Sequence, residues 1–332
     1  MLAAAKTVEA PGIELVELDK PVAAEREVLV EVAFCGICGS DLPVYAWDGA
    51  PEKWAGNLPR VMGHEFAGYT MEDLDGRFPA GTLVAVEPGT GCGHCRQCRD
   101  GLINLCPFRN ILGIDRDGAF APYVSVPQSS LWPMPEGIDA RRAAFLEVFA
   151  LAVHAIERAR LRPNDRVLIV GAGPVAIAIA AICARSAAAP PVLIGAPGDA
   201  SMRLPLARGV GAEAMVTDEL SDSPHFDVVF EASGAIPGVA KALKTCITGG
   251  KIVALGTPPR DLEYPWEEMV MRAIRITPVR ARLPRHWVAG AELLSRLEFP
   301  DQFFVNFKLA DIDAAFVAAS ERRACKVMVT PT

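Results

Sequence analysis

The sequence predicts an α/β chain of two domains, a rolled β domain and a doubly wound domain built on a parallel sheet. Three observations carry that prediction. The first third of the chain is a succession of short β-type runs separated by Gly and Pro. From about Ala140 the texture changes to strands alternating with apolar helices. At the first strand-to-helix junction stands Gly171-Ala172-Gly173-Pro174, a glycine turn opening a helix.

In chain order, Val28-Leu29-Val30-Glu31-Val32 and Gly81 to Val86 are strand-like, and Pro88-Gly89 marks a turn. Ala143 to Ala159 reads as one helix that ends before Pro163-Asn164-Asp165. Strands are then expected at Arg166–Val170, Val192–Ile194, Phe226–Phe230 and Gly250–Leu255. Helices are expected at Val175–Arg185, Met202–Arg208 and Ile236–Lys244. Strand–helix alternation of this kind builds a parallel sheet covered on both faces. After about Leu283 the elements are mixed, ending in the strand-like Cys325–Val329.

Composition removes several classes of function. A chain of 332 residues is long for a single core. The formal net charge is -7 and Lys and Arg are scattered, which argues against a nucleic-acid surface. The longest apolar stretch, Val167 to Ala184, is broken by Gly171, Gly173 and Pro174, so no membrane span is expected. The N-terminus carries Lys6 and Glu9 without a signal-peptide core, and a cytoplasmic location is the default expectation. Of nine cysteines, six lie between Cys35 and Cys106, and such clustering reads as metal ligation before disulfides.

The most specific motif is Cys92-Gly-His-Cys95-Arg-Gln-Cys98, followed after seven residues by Cys106. Four thiolates complete a tetrahedral zinc shell with no position left for water or substrate, which makes the site a structural staple. His94 lies inside the lobe and reads as a surface residue. A second, more dispersed set runs Cys35-Gly-Ile-Cys38-Gly-Ser40-Asp41 and then Gly63-His64-Glu65. One cysteine, one histidine and a carboxylate suit a catalytic zinc, which keeps an exchangeable position. Cys35 and His64 are the expected ligands, with Glu65 and Glu147 as candidates for the remaining place. Taken alone, the pair also fits a core thiol and a strand-end histidine. In the glycine turn, Gly171, Gly173, Pro174 and Val175 place backbone N–H groups toward a pyrophosphate. At the end of the next strand the usual acid is missing, and Gly195-Ala196-Pro197-Gly198 precede Asp199. NAD with Asp199 on the ribose and NADP with Arg203 nearby both remain open.

In this order and spacing, the motifs resemble the zinc-dependent medium-chain dehydrogenase/reductase (alcohol dehydrogenase) superfamily over essentially the whole chain. The resemblance implies a GroES-like catalytic domain at 1–145 and 285–332 and a Rossmann dinucleotide-binding domain at 146–284, with the active site between them. It implies two zinc ions per chain, one catalytic and one structural, and NAD or NADP as cofactor. By the same resemblance Cys35 and His64 look like catalytic-zinc ligands, Glu65 like the adjacent acid, and Ser40 like the hydroxyl that starts proton release. Glu147 falls where the polyol and threonine branches place a carboxylate. The stretch Cys38 to Asp48 looks most like threonine 3-dehydrogenases. Pro43 and Gly89, however, stand where histidines are found in that branch, and Gly89 occupies the position of an active-site histidine. Trp47, Trp54 and Phe149 are candidates for the substrate pocket.

The implied reaction is oxidation of a secondary alcohol (a polyol, sugar, cyclitol or amino alcohol) to a ketone. The implied partners are that small molecule and further copies of the chain as a dimer or tetramer, with no nucleic acid and no membrane. The alternative is a zinc-stapled NAD(P)-binding sensor or scaffold without turnover.

Overall fold

A computed structural model describes residues 1–48, 54, 57–72, 76–186, 189–263 and 265–331. Contacts divide the chain into two compact units. One holds Met1–Glu147, Leu283–Arg296 and Phe304–Thr332, and the other Val148–Arg282 and Leu297–Phe303.

In the first unit the strand Glu27–Gly36 is the organiser. Val28, Val30 and Val32 alternate onto the buried face, as a period of two requires. The strand pairs antiparallel with Glu65–Thr70, with Tyr123–Pro127 and with the C-terminal strand Lys326–Thr330. The sheet runs Leu131–Pro133, Leu83–Val86, Glu65–Thr70, Glu27–Gly36, Lys326–Thr330, Phe304–Lys308. The tail therefore returns to complete the N-terminal β domain. Phe66, Phe120 and Phe316 fill its core, and burial of each such side chain contributes about 1.5–3 kcal/mol. This antiparallel order brings the ends of four strands together. Residues just past Gly36, just before Glu65, just past Val86 and at Lys326 all lie at one end of the sheet.

The second unit is a six-stranded, wholly parallel sheet. Its order is Glu213–Val216, Val192–Gly195, Val167–Val170, Phe226–Glu231, Cys246–Ala254, Arg275–Pro278. Counted along the chain from Val167 this is the order 3-2-1-4-5-6, the doubly wound arrangement, whose switch point lies between Val167–Val170 and Phe226–Glu231. Pro174 opens the helix Pro174–Ser186, where its fixed φ is suited and its missing N–H costs nothing. Ala176 to Cys183 of that helix are all buried, and its many alanines permit close approach to the sheet.

Two local expectations differ from the structure. The helix expected over Ala143–Ala159 is two helices, Ala140–Ala144 and Leu146–Ala159. The first starts at Asp139, whose carboxylate accepts the Arg142 N–H at 2.9 Å. Leu297–Phe303, expected with the β domain, packs in the second unit, where Phe299 meets Phe149 edge-on with centroids 6.3 Å apart. Phe149 is thereby a core residue of that unit.

Candidate functional site

The four-cysteine lobe is built by its own backbone. Cys95 caps the short helix Arg96–Arg99, its sulfur accepting the Cys98 N–H at 3.4 Å. The Cys92 sulfur accepts the Cys95 N–H at 3.4 Å, and the Cys106 sulfur accepts N–H groups of Cys92 and Phe108 at 3.4 and 3.3 Å. All four sulfurs lie within 4.8 Å of one another, and Cys95 and Cys106 are 3.7 Å apart. A tetrahedron of about 2.3 Å zinc–sulfur bonds has edges of roughly 3.7 Å, so the cradle fits that metal. The N–H from Cys92 brings the Cys106 thiol down to about 7, even against burial. Cys98 is pushed up to about 12, first by burial and then by the neighbouring thiols. Four thiolates cannot share this space without a cation to hold them. His94 turns outward, its Nδ1 at 2.9 Å from the Cys92 carbonyl oxygen.

At the shared strand end of the same unit, donor atoms of Cys38, His64 and Glu65 lie within 4.8 Å of one another. The expected ligand Cys35 is not in this group. It lies inside the strand, opposite Phe66 and Val329, and is fully buried in the apolar core. Its sulfur packs behind Gly63, where a Cβ would come within 2.7 Å of it. Burial, then the Asp41 and Glu65 charges, push the Cys35 thiol well above its usual range. Burial, then the Glu65 charge, raise the Cys38 thiol too, but Cys38 lies outside the strand, which has ended at Gly36 and frees the chain to turn. The Asp41 carboxylate fixes the turn by accepting the Cys38 N–H at 2.9 Å.

Asp41, which the sequence did not single out, has a second role. Its other oxygen is 3.4 Å from His64 Nδ1, and both groups are buried. A carboxylate behind one imidazole nitrogen orients the other toward a metal. Burial lowers the His64 pKa, but the Asp41 and Cys38 charges more than offset it and raise it well above the usual imidazole range. The sequence reading missed Lys326 altogether. Its Nζ forms a buried ion pair with Glu65 and donates to the Ile37 carbonyl at 2.8 Å. Gly36 makes room for the pair, since a Cβ there would meet Lys326 Cε at 2.7 Å and Glu65 Oε2 at 2.8 Å. Glu147, in the first turn of Leu146–Ala159, is buried near enough for its charge to act on Lys326. Ser40 is exposed, and its hydroxyl makes no capping bond to the helix Asp41–Ala46 that follows. Trp54 is buried and Trp47 lies 5.1 Å below Lys6 Nζ, so both are anchored side chains.

In the parallel-sheet unit the glycine turn has the expected form. Gly171 has φ +113°, and a Cβ there would come within 2.9 Å of the Ser233 nitrogen. Beside Gly173 a Cβ would meet nothing within 4 Å, so the helix N-terminus opens onto free space. That space suits a pyrophosphate. The facing wall is held by Glu231, a residue the sequence reading passed over as part of a strand. It accepts N–H bonds from Ser233 and Gly234 at 2.9 and 3.2 Å, and the Ser233 hydroxyl as well. Asp199, expected on the ribose, is turned into its own loop. One oxygen accepts the Ala196 N–H at 2.9 Å and the other is 3.6 Å from Arg203 Nη1. With Asp199 only 4% exposed, the strand end presents Gly195 and Ala196 rather than an acid.

Residues 24–136 match the family model described as the alcohol dehydrogenase GroES-like domain. The chain is 32% identical to an L-threonine 3-dehydrogenase of Shewanella baltica (strain OS185), covering 99% of both chains. It is 34% identical to an L-threonine 3-dehydrogenase of Streptomyces coelicolor, again over 99% of both. Among solved structures, L-idonate 5-dehydrogenase from Escherichia coli superposes with a TM-score of 0.88 at 25% identity, covering 99% of this chain and 97% of that one.

Proposed function

The chain belongs to the zinc-dependent medium-chain alcohol dehydrogenase family, in its threonine and polyol branch, and is an NAD(P)-dependent oxidoreductase; from that premise we propose how its residues divide the work. Cys38, His64 and Glu65 hold the catalytic zinc, and Cys92, Cys95, Cys98 and Cys106 the structural one. The observation that carries this reading is the contrast between the two donor sets. One has four sulfurs and is closed; the other has one sulfur, one nitrogen and one carboxylate and leaves a fourth position for substrate.

When bound, the zinc supplies a Lewis acid for the alcohol oxygen and the nicotinamide accepts the hydride. The chain contributes placement and proton handling. Asp41 keeps the His64 ring oriented, and Lys326 fixes Glu65 against rotation. The Ser40 hydroxyl, two residues beyond Cys38, takes the proton released by the alcohol while passing its own toward solvent. Gly171, Gly173, Pro174 and Val175 hold the cofactor pyrophosphate.

The substrate is a secondary alcohol. The threonine relatives make L-threonine a compound to test, but Gly89 offers no proton-exchanging side chain, and a different secondary alcohol is the better assignment. A panel of polyols, amino alcohols, sugars and cyclitols with each cofactor, followed by NAD(P)H absorbance, tests the reading. It expects one NAD(P)H per ketone formed. Full zinc and cofactor binding without turnover on any alcohol would favour the sensor reading instead.

Cofactor choice follows from Asp199. With that carboxylate engaged in its loop, no acid at the strand end repels a 2′-phosphate. NADP is therefore accepted, and Ala196→Asp should weaken NADPH binding by about tenfold or more while sparing NADH. Titration by nucleotide fluorescence checks this; equal weakening of both nucleotides would refute it.

The edge strand Arg275–Pro278 is largely exposed, and Trp266, Val270 and Met271 form an exposed apolar group on the neighbouring helix Trp266–Met271. Such an edge suits pairing with a second copy, and we assign it the homo-oligomer contact. A monomer in light scattering would exclude that. Among the described residues no helix is long and apolar enough to cross a membrane. None of the nine cysteines is in a disulfide, five being assigned here to zinc, which suits the reducing cytoplasm proposed for the chain.

A further inference from the structure

Three strand ends of the parallel-sheet unit converge on one buried carboxylate. In the order 3-2-1-4-5-6, three strands make one mononucleotide-binding half of the domain and three make the other. The half that starts at Gly171 and continues to the loop from Gly195 takes the adenosine side, since the ribose 2′ position is read there. The carboxyl ends of Phe226–Glu231 and Cys246–Ala254 are left for the nicotinamide half.

Glu231 ends its strand and is only 2% exposed. Its Oε1 accepts the N–H groups of Ser233 and Gly234 and the Ser233 hydroxyl. That hydroxyl in turn accepts the Ala235 N–H at 3.1 Å, which carries the hydrogen bonds to the start of the helix Ile236–Thr245. Gly238 lets the first turn of this helix close over the group. A Cβ there would collide with Ser233 Oγ and stand 3.3 Å from Glu231 Oε1. A helix N-terminus favours an anion, so the carboxylate is buried among N–H and O–H donors rather than against a cation.

The other oxygen, Oε2, meets the end of the neighbouring strand. A Cβ on Gly256 would come within 2.5 Å of it and would collide with the Gly234 nitrogen. The Glu231 carbonyl accepts the Leu255 and Gly256 N–H groups at 2.8 and 3.1 Å. Gly234, at φ +63°, lies against Thr257, whose nitrogen would be 3.3 Å from a Cβ there. On the opposite side Gly171 leans on the same loop, with a Cβ 3.0 Å from the Ala232 carbonyl oxygen. Glycines thus bring three backbones into contact, and one carboxylate ties the loop between them.

We propose that Glu231 is a positioning residue for the nicotinamide half of the cofactor. It holds residues 232–234 and 255–257 as a preformed platform, so that binding does not have to order them. The proposal rests on the NAD(P) reading above and deepens it. Loss of the carboxylate frees the loop, and the cost falls on the nicotinamide half while the adenosine half is spared.

The test uses the zinc-loaded full chain and two probes: NADH, which spans both halves, and AMP, which engages the adenosine half alone. Binding is measured by calorimetry, and circular dichroism checks the fold and the unfolding midpoint of each variant. Glu231→Ala should weaken NADH binding by about tenfold or more and leave AMP within about twofold of the wild type. Glu231→Gln keeps an acceptor oxygen for the two N–H groups and should recover much of the loss. Ser233→Ala cuts the link to Ala235 and should show the same selectivity in milder form, which keeps the comparison decisive if Glu231→Ala does not fold. Equal weakening of NADH and AMP in folded variants would mark a merely structural residue and overturn the proposal, as would unchanged NADH affinity. A wild type that binds neither NADH nor NADPH would overturn the cofactor reading and the proposal with it. Selective loss of NADH affinity in a protein that turns over no alcohol would uphold the proposal and count against the dehydrogenase reading alone.

Discussion

Replacing Cys38 by serine is expected to remove one of two zinc ions per chain and to lower kcat/KM by roughly three orders of magnitude. The estimate follows from losing the several kcal/mol that a Lewis acid supplies at the reacting oxygen. Cofactor affinity should survive, since the glycine turn lies in the other unit. Cys35→Ser makes the informative contrast. Its sulfur is fully buried beside Gly63, and a hydroxyl in that apolar setting is expected to cost about 1–3 kcal/mol of stability. Turnover of the folded fraction should persist with both zincs retained. Elemental analysis and steady-state kinetics on the two variants decide between the cysteines. Loss of zinc from Cys35→Ser, with Cys38→Ser unaffected, would reverse the assignment.

The second large effect is on stability. Lys326→Met leaves Glu65 buried without its cation, and breaking a buried pair in this way costs about 3–5 kcal/mol. The loss should be greatest in zinc-free protein, because a bound metal supplies part of the missing positive charge. Adding Glu65→Gln should restore part of it by removing the uncompensated charge. Denaturant unfolding of the zinc-free single and double variants measures both effects. Lys326→Met matching the wild type within experimental scatter would show that the pair contributes nothing.

The same pair has a pH signature. Burial alone lowers the Lys326 pKa, yet attraction to Glu65 raises it above the ordinary 10.5. A raised lysine adds stability that is complete below the unfolded value and fades as pH climbs through the folded one. Wild-type stability should therefore decline above about pH 10.5 in a component that Lys326→Met lacks.

Sequence alone disclosed whatever is local. The zinc lobe could be read because four ligands fall within one short loop and its backbone N–H groups position them. The glycine turn could be read because Gly171 and the helix it opens are adjacent. The proposed catalytic site is assembled from distant strands, and its members are not marked by any local pattern. Choosing between Cys35 and Cys38 required knowing that the strand stops at Gly36. A register shift between Val32 and Phe34 breaks the alternation and buries the first cysteine, and the turn at Asp41 presents the second. Lys326 reaches Glu65 only because the C-terminal strand inserts beside Glu27–Gly36, a pairing that no local pattern announces. Asp199 stands near the expected acid position, but the loop from Gly195 lets its carboxylate fold back onto Ala196. The absence of a histidine at Gly89 was legible, while the filling of the space beside it by the Arg109 side chain was not.

Zinc content and coordination in the purified wild-type enzyme test the central claim most directly. X-ray absorption at the zinc edge, combined with elemental analysis, should find two zincs per chain. One should have four sulfur neighbours at about 2.3 Å, and the other one sulfur with nitrogen and oxygen at about 2.0–2.2 Å. A single zinc per chain in an all-sulfur shell, in protein that still oxidises alcohols at full rate, would contradict it.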